Sequence, residues 1–346
     1  MQIRFLTYMS IVALLFSSTT LTADPLRNHV KDKFAVIPHE PPNLPGNPTT
    51  PQKLALGEML FFDPRLSVSH SISCASCHNL SLAGTDNRSR SLGTAWQQGG
   101  RNAPTVLNSV YNFVQFWDGR AADLAQQAGG PIQNPVEMGS TEQKTVDVLK
   151  GIPGYVDAFK AAFPDRDDVI TFDNVEKAIA VFETILTTPD APFDRWLRGD
   201  DRALTQDQKE GLRLFVDKGC SNCHNGVNIG GGTYDRFGVV KAPSSDIRPP
   251  DDLGRGAITH SVSDNYVFKV PTLRNIALTA PYFHSGQVWD LRQAVKIMSD
   301  VQLGVQLTDT EANQIVAFLN SLTGRPPFVP APDLPPTVTT TPRPVP

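Results

Sequence analysis

The sequence predicts a mainly α-helical chain built as two tandem copies of one domain, on three observations. One pentapeptide occurs twice, as Cys74-Ala-Ser-Cys77-His78 and Cys220-Ser-Asn-Cys223-His224, and uses all four cysteines of the chain. Residues flanking the two copies recur at matching positions. The recurring segments carry apolar residues at helical spacing.

At 346 residues the chain is long enough for two domains of ordinary size, each with its own core. A composition of 40% hydrophobic and 19% charged residues is ordinary for a globular protein. The formal net charge of -4 and the lack of a long basic run argue against a nucleic-acid partner. Residues 1–23 read as a secretory signal, with Arg4 near the start, an apolar run from Ile11 to Phe16, and small residues ending at Ala23 before Asp24-Pro25. That run is far shorter than the roughly 20 residues a membrane-spanning helix needs. The expectation is an exported chain beginning near Asp24, with no membrane anchor after processing.

Four cysteines in an oxidising compartment would ordinarily suggest two disulfides. Zinc is a second possibility, but adjacent Cys77 and His78 point in directions that rarely serve one tetrahedral ion. A redox dithiol would want a βαβ setting and gives no reason for the histidine. Covalent haem accounts for every residue: the two thiols form thioethers to the vinyl groups, the two-residue gap lets both reach one porphyrin edge, and the following imidazole ligates iron. The fold class is therefore two tandem cytochrome-c-like domains, each with one covalently bound c-type haem.

The elements follow from the repeat. Gly57, Leu60 and Phe61 before the first motif match Gly211, Leu214 and Phe215 before the second. Each trio sits on a helix with its own start signal, Thr50-Pro51 in one and Thr205 with Gln208 in the other. Residues 104–128 align without a gap on 271–295, with identical pairs that include Pro104/Pro271, Asn108/Asn275, Gly119/Gly286 and Asp123/Asp290. A closing helix follows in each half, where Ile179, Phe182, Leu186 and Thr187 match Ile315, Phe318, Leu322 and Thr323 in a stripe facing a core. The expected domains are 24–189 and 190–324, with 190–201 as the linker. Residues 325–346 are too proline-rich for helix and read as an extended tail, laid on a domain or free.

Each iron needs something on its far face. Outside the signal the chain has Met59, Met138 and Met298, and five histidines beyond the motifs: His29, His39, His70, His260 and His284. Met298 lies 74 residues after His224 on the apolar-periodic stretch from Leu291, where the methionine ligand of a single-domain cytochrome c arrives. A Met/His iron has a raised potential and no open position, so it handles electrons. In the same register the first half has Pro131, which cannot ligate iron, followed by Glu137, a carboxylate with no equivalent in the second half. An open iron beside an ionisable acid suits small-molecule chemistry. If Met138 instead slid onto the iron, the chain would be a non-catalytic dihaem electron carrier. His29, His39 and His260 read as surface residues, and His70 as a loop residue rather than an iron cap. His284 reads as hydrogen-bonding near the domain interface, and Arg274 as a partner for a haem propionate.

The stretches "LFFDPRLS", "CHNL", "FWDGRA", "PVEM" and "APYFHSG" resemble the bacterial dihaem cytochrome c peroxidases over nearly the whole mature chain. The resemblance implies a periplasmic enzyme, usually a homodimer, that reduces hydrogen peroxide to water with electrons from a small c-type cytochrome or a cupredoxin. It implies that His78 is the proximal ligand of a low-potential, peroxidatic haem and that His224 and Met298 hold a high-potential haem that receives electrons. Gln127 and Glu137 match the family's distal-pocket positions, and Trp117 its relay between the haems. Asn102, Thr279 and Pro281 match a calcium site, the last two through backbone carbonyls. Many members carry a histidine that caps the resting peroxidatic iron, and here that position is Thr94. The expectation is a first haem that is open at rest. A related dihaem oxidase of a protein substrate has a tyrosine where Met298 stands, which argues against that alternative.

Overall fold

The computed structural model describes residues 24–165 and 167–345, so the expected signal segment, 1–23, lies outside the described residues. Six helices carry the repeat: α1 (Pro51–Phe62), α2 (Leu124–Gln133) and α3 (Phe172–Thr184) in the first half, and α4 (Gln206–Asp217), α5 (Leu291–Leu303) and α6 (Asp309–Asn320) in the second. Their starts are set by side chains that satisfy otherwise orphaned backbone donors. Thr50 accepts from Lys53 N, with Pro51 in the first turn. Thr205 and Gln208 form the reciprocal box expected of them, with bonds of 3.3 and 2.9 Å. Asp123 and Asp290, repeat mates, cap α2 and α5 by accepting from Gln126 N and Gln293 N.

In each half the first helix packs on the closing one at a glycine. A Cβ at Gly57 would lie 2.0 Å from Ala178 O, and one at Gly211 would lie 1.8 Å from Gln314 O. The two contacts are related by the repeat, so both glycines are required for backbones to approach this closely. Around the first contact, Leu56, Leu60 and Phe61 meet Ile179 and Phe182; around the second, Leu212 and Phe215 meet Ile315 and Phe318, all buried. The stripe ending in Leu186 and Thr187 is buried as expected, although α3 stops at Thr184 and those two residues pack from the turn beyond it. A third cluster, with Phe237, Phe268 and Tyr282, lies against Trp117 from the first half and Met298 from the second. Beside it is the one sheet among the described residues, β1 (Tyr234–Arg236) antiparallel to β2 (Val267–Lys269), with Tyr234 opposite Lys269.

Three segments depart from or sharpen the sequence expectation. Residues 190–201 are more than a linker: Pro192–Leu197 is a helix whose Phe193 and Trp196, three apart on one face, are fully buried in the second core. The N-terminal stretch also joins that core through Val30 and Phe34, tied by Arg27 Nε donating to Trp196 O and by the Lys209–Asp24 ion pair. The first described residues therefore pack on the second half before the chain enters the first. The proline-rich tail lies on the first half, where Arg65 donates to Pro335 O, Thr341 Oγ1 to Gly151 O, and Val345 N to Val68 O. No described helix is long and apolar enough to cross a membrane.

Candidate haem sites

None of the four cysteines is in a disulfide, which removes the disulfide reading. Cys74 and Cys77 sit at the two ends of a one-turn helix, Cys74–Cys77. Burial raises the pKa of all four thiols, Cys77 and Cys220 to about 11 and Cys223 to about 12. Half-buried thiols kept neutral and spaced this way suit thioether bonds better than a solvent-facing redox pair.

His78 lies beside the cysteines, with Nδ1 3.3 Å from Gly84 O. Burial pushes its pKa down, against the pull of the Gly84 and Pro104 carbonyls, so the ring is neutral. His224 is likewise buried and driven down to about 4, with the carbonyls of Ile229 and Pro271 opposing. Pro104 and Pro271 are repeat mates, so each imidazole faces an equivalent carbonyl. A neutral ring whose Nδ1–H is directed at a carbonyl, as that of His78 is at Gly84 O, leaves Nε2 for a metal, whereas His224 Nδ1 makes no hydrogen bond among the described residues.

The first site opens on a cavity bordered by Cys74, Cys77 and His78, and by Gln127, Pro131 and Glu137. Together the cavity, the half-buried thiols and the neutral histidine fit a covalently held haem. Pro131 stands inside α2 where Met298 stands inside α5, so the expected exchange of methionine for proline falls on the wall of this cavity. Met138 is buried and also lines it.

On the same side, Glu137 Oε1 accepts from Asn134 Nδ2 at 2.9 Å. Burial raises its pKa, while the Arg120 guanidinium and the Asn134 bond pull the other way. Arg120 is itself held by Asp118 and lies 3.5 Å over the Phe116 ring. The Gln127 side chain makes no hydrogen bond among the described residues and is free to meet a ligand. Thr94 is buried and donates its backbone N–H to Glu137 O at 2.7 Å, but it does not line the cavity. His70 faces a different cleft, with Arg65 and Lys144, and is not a cap. His29, His39 and His260 are exposed, as expected.

Between the two sites, Trp117 Nε1 donates to Asn102 O at 2.9 Å, and its ring centre is 6.1 Å from that of His284. His284 accepts from Asn102 N through its carbonyl at 2.8 Å, while its side chain makes no hydrogen bond among the described residues. The ring stacks on Phe268 at 4.3 Å, Nε2 has no hydrogen-bond partner, and Asp252 stays 3.8 Å away. Packing therefore places this histidine. The fully buried Arg274 guanidinium is engaged through Nε and Nη2 by Asp194 at 2.8 Å and by the carbonyls of Ala35 and Val227, while Nη1 has no partner among the described residues. Asp194 belongs to the segment read as a linker, so nothing in the sequence pointed to it.

Asn102 donates Nδ2 to Arg88 O and its backbone N–H to His284 O, which leaves Oδ1 unbonded. The carbonyls of Thr279 and Pro281 accept no hydrogen bond among the described residues. Three such oxygens suit a hard cation, although none is a carboxylate.

Among the buried ionisable residues that sequence reasoning missed, two have no partner. Glu183 lines the first cavity, is 4% exposed and has no partner for Oε2; burial pushes its pKa up to about 8. Its repeat mate is Leu319, and that mismatch was the available signal. Lys269, at the end of β2, is the other.

Two helical domains, each with a half-buried pentapeptide suited to covalent haem, define a tandem c-type cytochrome. The family profile described as di-haem cytochrome c peroxidase matches residues 51–202, and the cytochrome c profile matches 208–323. The chain is 53% identical over 329 residues to the cytochrome c551 peroxidase of Pseudomonas aeruginosa, covering 95% of each. It is 52% identical over 288 residues to the cytochrome c551 peroxidase of Nitrosomonas europaea, covering 83% of this chain and 85% of that one. Among solved structures, a MauG-like protein associated with microbial copper homeostasis superposes with a TM-score of 0.74 at 28% identity, covering 83% of this chain and 95% of that one. The chain belongs to the di-haem cytochrome c peroxidase family.

Proposed function

We propose that this chain is a periplasmic peroxidase that reduces hydrogen peroxide to two waters, consuming two electrons and two protons. Cys220, Cys223, His224 and Met298 would hold one haem and Cys74, Cys77 and His78 the other, with Trp117 as the relay between them and a small c-type cytochrome or cupredoxin as the electron donor. Bound haem would supply redox-active iron for electron storage and for peroxide reduction.

The observation that carries this reading is the cavity wall, where Pro131 replaces the second half's methionine and Glu137 and Gln127 stand beside it. Glu137 acts as the base at the near peroxide oxygen and returns the proton to the leaving oxygen, which then departs as water. Asn134 holds Oε1, which leaves Oε2 for the proton. Arg120 keeps the carboxyl from rising too far to serve as a base. Gln127, unbonded within the protein, orients the peroxide.

Asn102, Thr279 and Pro281 would hold calcium between the halves. Trp117 and His284 both bond to Asn102, so the cation would fix the relay region. The active form is a homodimer, in keeping with the family. The test is turnover of peroxide with reduced cytochrome by the holoprotein: rapid oxidation of the donor is expected, and reduction of both haems without peroxide turnover would leave only an electron carrier.

A further inference from the structure

Lys269 is 6% exposed, and burial pushes its ammonium down to about 8 with no neighbouring acid to oppose it. The carboxylates of that region are committed elsewhere. Asp118 and Asp252 hold Arg101, and Asp235, directed at Cys223 Sγ, exerts no pull on the Lys269 ammonium. Among the described residues the Lys269 side chain has no hydrogen bond and no ion pair. A buried, unpaired ammonium is among the costlier things a fold can contain, so such groups are found paired.

The backbone of Lys269 is fixed tightly. Its N–H donates to Trp117 O at 2.8 Å, and its strand partner is Tyr234, next to the residue that touches Cys223. In the repeat register that pairs Pro104 with Pro271, Lys269 falls opposite Asn102, the residue proposed as a calcium ligand. One half thus carries a lysine where the other carries an oxygen donor for a cation. Arg274, the other buried cation of this half, is held by Asp194 through Nη2, with its Nη1 left without a partner among the described residues.

We propose that Lys269 is the internal counter-ion of a propionate carboxylate on the haem bound at Cys220, Cys223 and His224, and so a positioning residue that keeps this haem's potential high. A propionate left unpaired stabilises the more positive, oxidised iron, so removing the lysine lowers the potential. The inference rests on the two-haem reading but not on peroxide chemistry.

The test is potentiometric titration of both haems in the holoprotein, comparing wild type with K269M, K269Q and K269R. K269M is expected to disfavour reduction of the second haem about tenfold, about 59 mV for a one-electron couple, and K269R to stay close to wild type. K269Q removes the charge while keeping a donor, and carries the same test should K269M not fold. An unchanged second-haem potential in either folded neutral variant overturns the proposal, as does a shift confined to the first haem. Loss of peroxide turnover with unshifted potentials would count against Lys269 here while leaving the peroxidase reading intact.

Discussion

The two halves build their haem sites from the same parts and part company on two helices. α2 and α5 begin with the same aspartate cap, yet one presents Pro131 and the other Met298. α3 and α6 pack through equivalent backbone contacts, yet one buries Glu183 in its cavity and the other buries Leu319. A duplicated scaffold thus differs between its halves at a few positions that border the first cavity.

The largest expected effect comes from the acid found only in the first half. E137Q keeps the shape of the site but removes the base, and peroxide turnover should fall about 10²–10⁴-fold. Reduction of the second haem by its donor should be unaffected. Since burial raises the Glu137 pKa, wild-type turnover should rise with pH through that raised value, and E137Q should lose this limb.

P131M makes the halves alike. A methionine on α2 should bring the first iron to the low-spin state and abolish most turnover, which a ferric absorption spectrum and a peroxide assay would check. A first iron that stays open in P131M would mean that the exchange does not decide ligation.

E183L copies the second half in another respect. Glu183 is neutral when buried, with a pKa raised to about 8, so the folded state binds its proton more tightly than the unfolded state. Its contribution is fully present below the ordinary carboxyl range and is lost as pH rises from there to about 8. Thermal melts should therefore show E183L gaining on wild type across that window and by no further amount above it.

The smallest effect tests likeness rather than difference. G57A and G211A each force a Cβ against a carbonyl oxygen, and each should cost about 1–3 kcal/mol in its own half. Denaturation followed at each haem would show whether the two helix crossings are equally tight.

Much of this was legible in the sequence because the repeat supplied an internal ruler. The ungapped register identified Pro131 as the mate of Met298, and the Thr205/Gln208 box and the cap residues marked helix starts through purely local hydrogen bonds. What escaped was long-range. Residues 24–37 cross to the second core and the tail crosses to the first, and no local periodicity encodes either docking. Arg274 found Asp194, 80 residues away, inside a segment whose charges suggested only a linker. Glu183 and Lys269 look like ordinary helix and strand charges until burial shows that neither has a partner.

The central claim is that one iron is saturated and its twin is open at rest, with Thr94 too weak a ligand to cap it. Electron paramagnetic resonance on the fully oxidised holoprotein tests this directly. The expected spectrum has one low-spin signal from the His224/Met298 haem and one high-spin signal from the His78 haem, the latter lost on adding peroxide without prior reduction. Two low-spin signals, both indifferent to peroxide, would contradict the account.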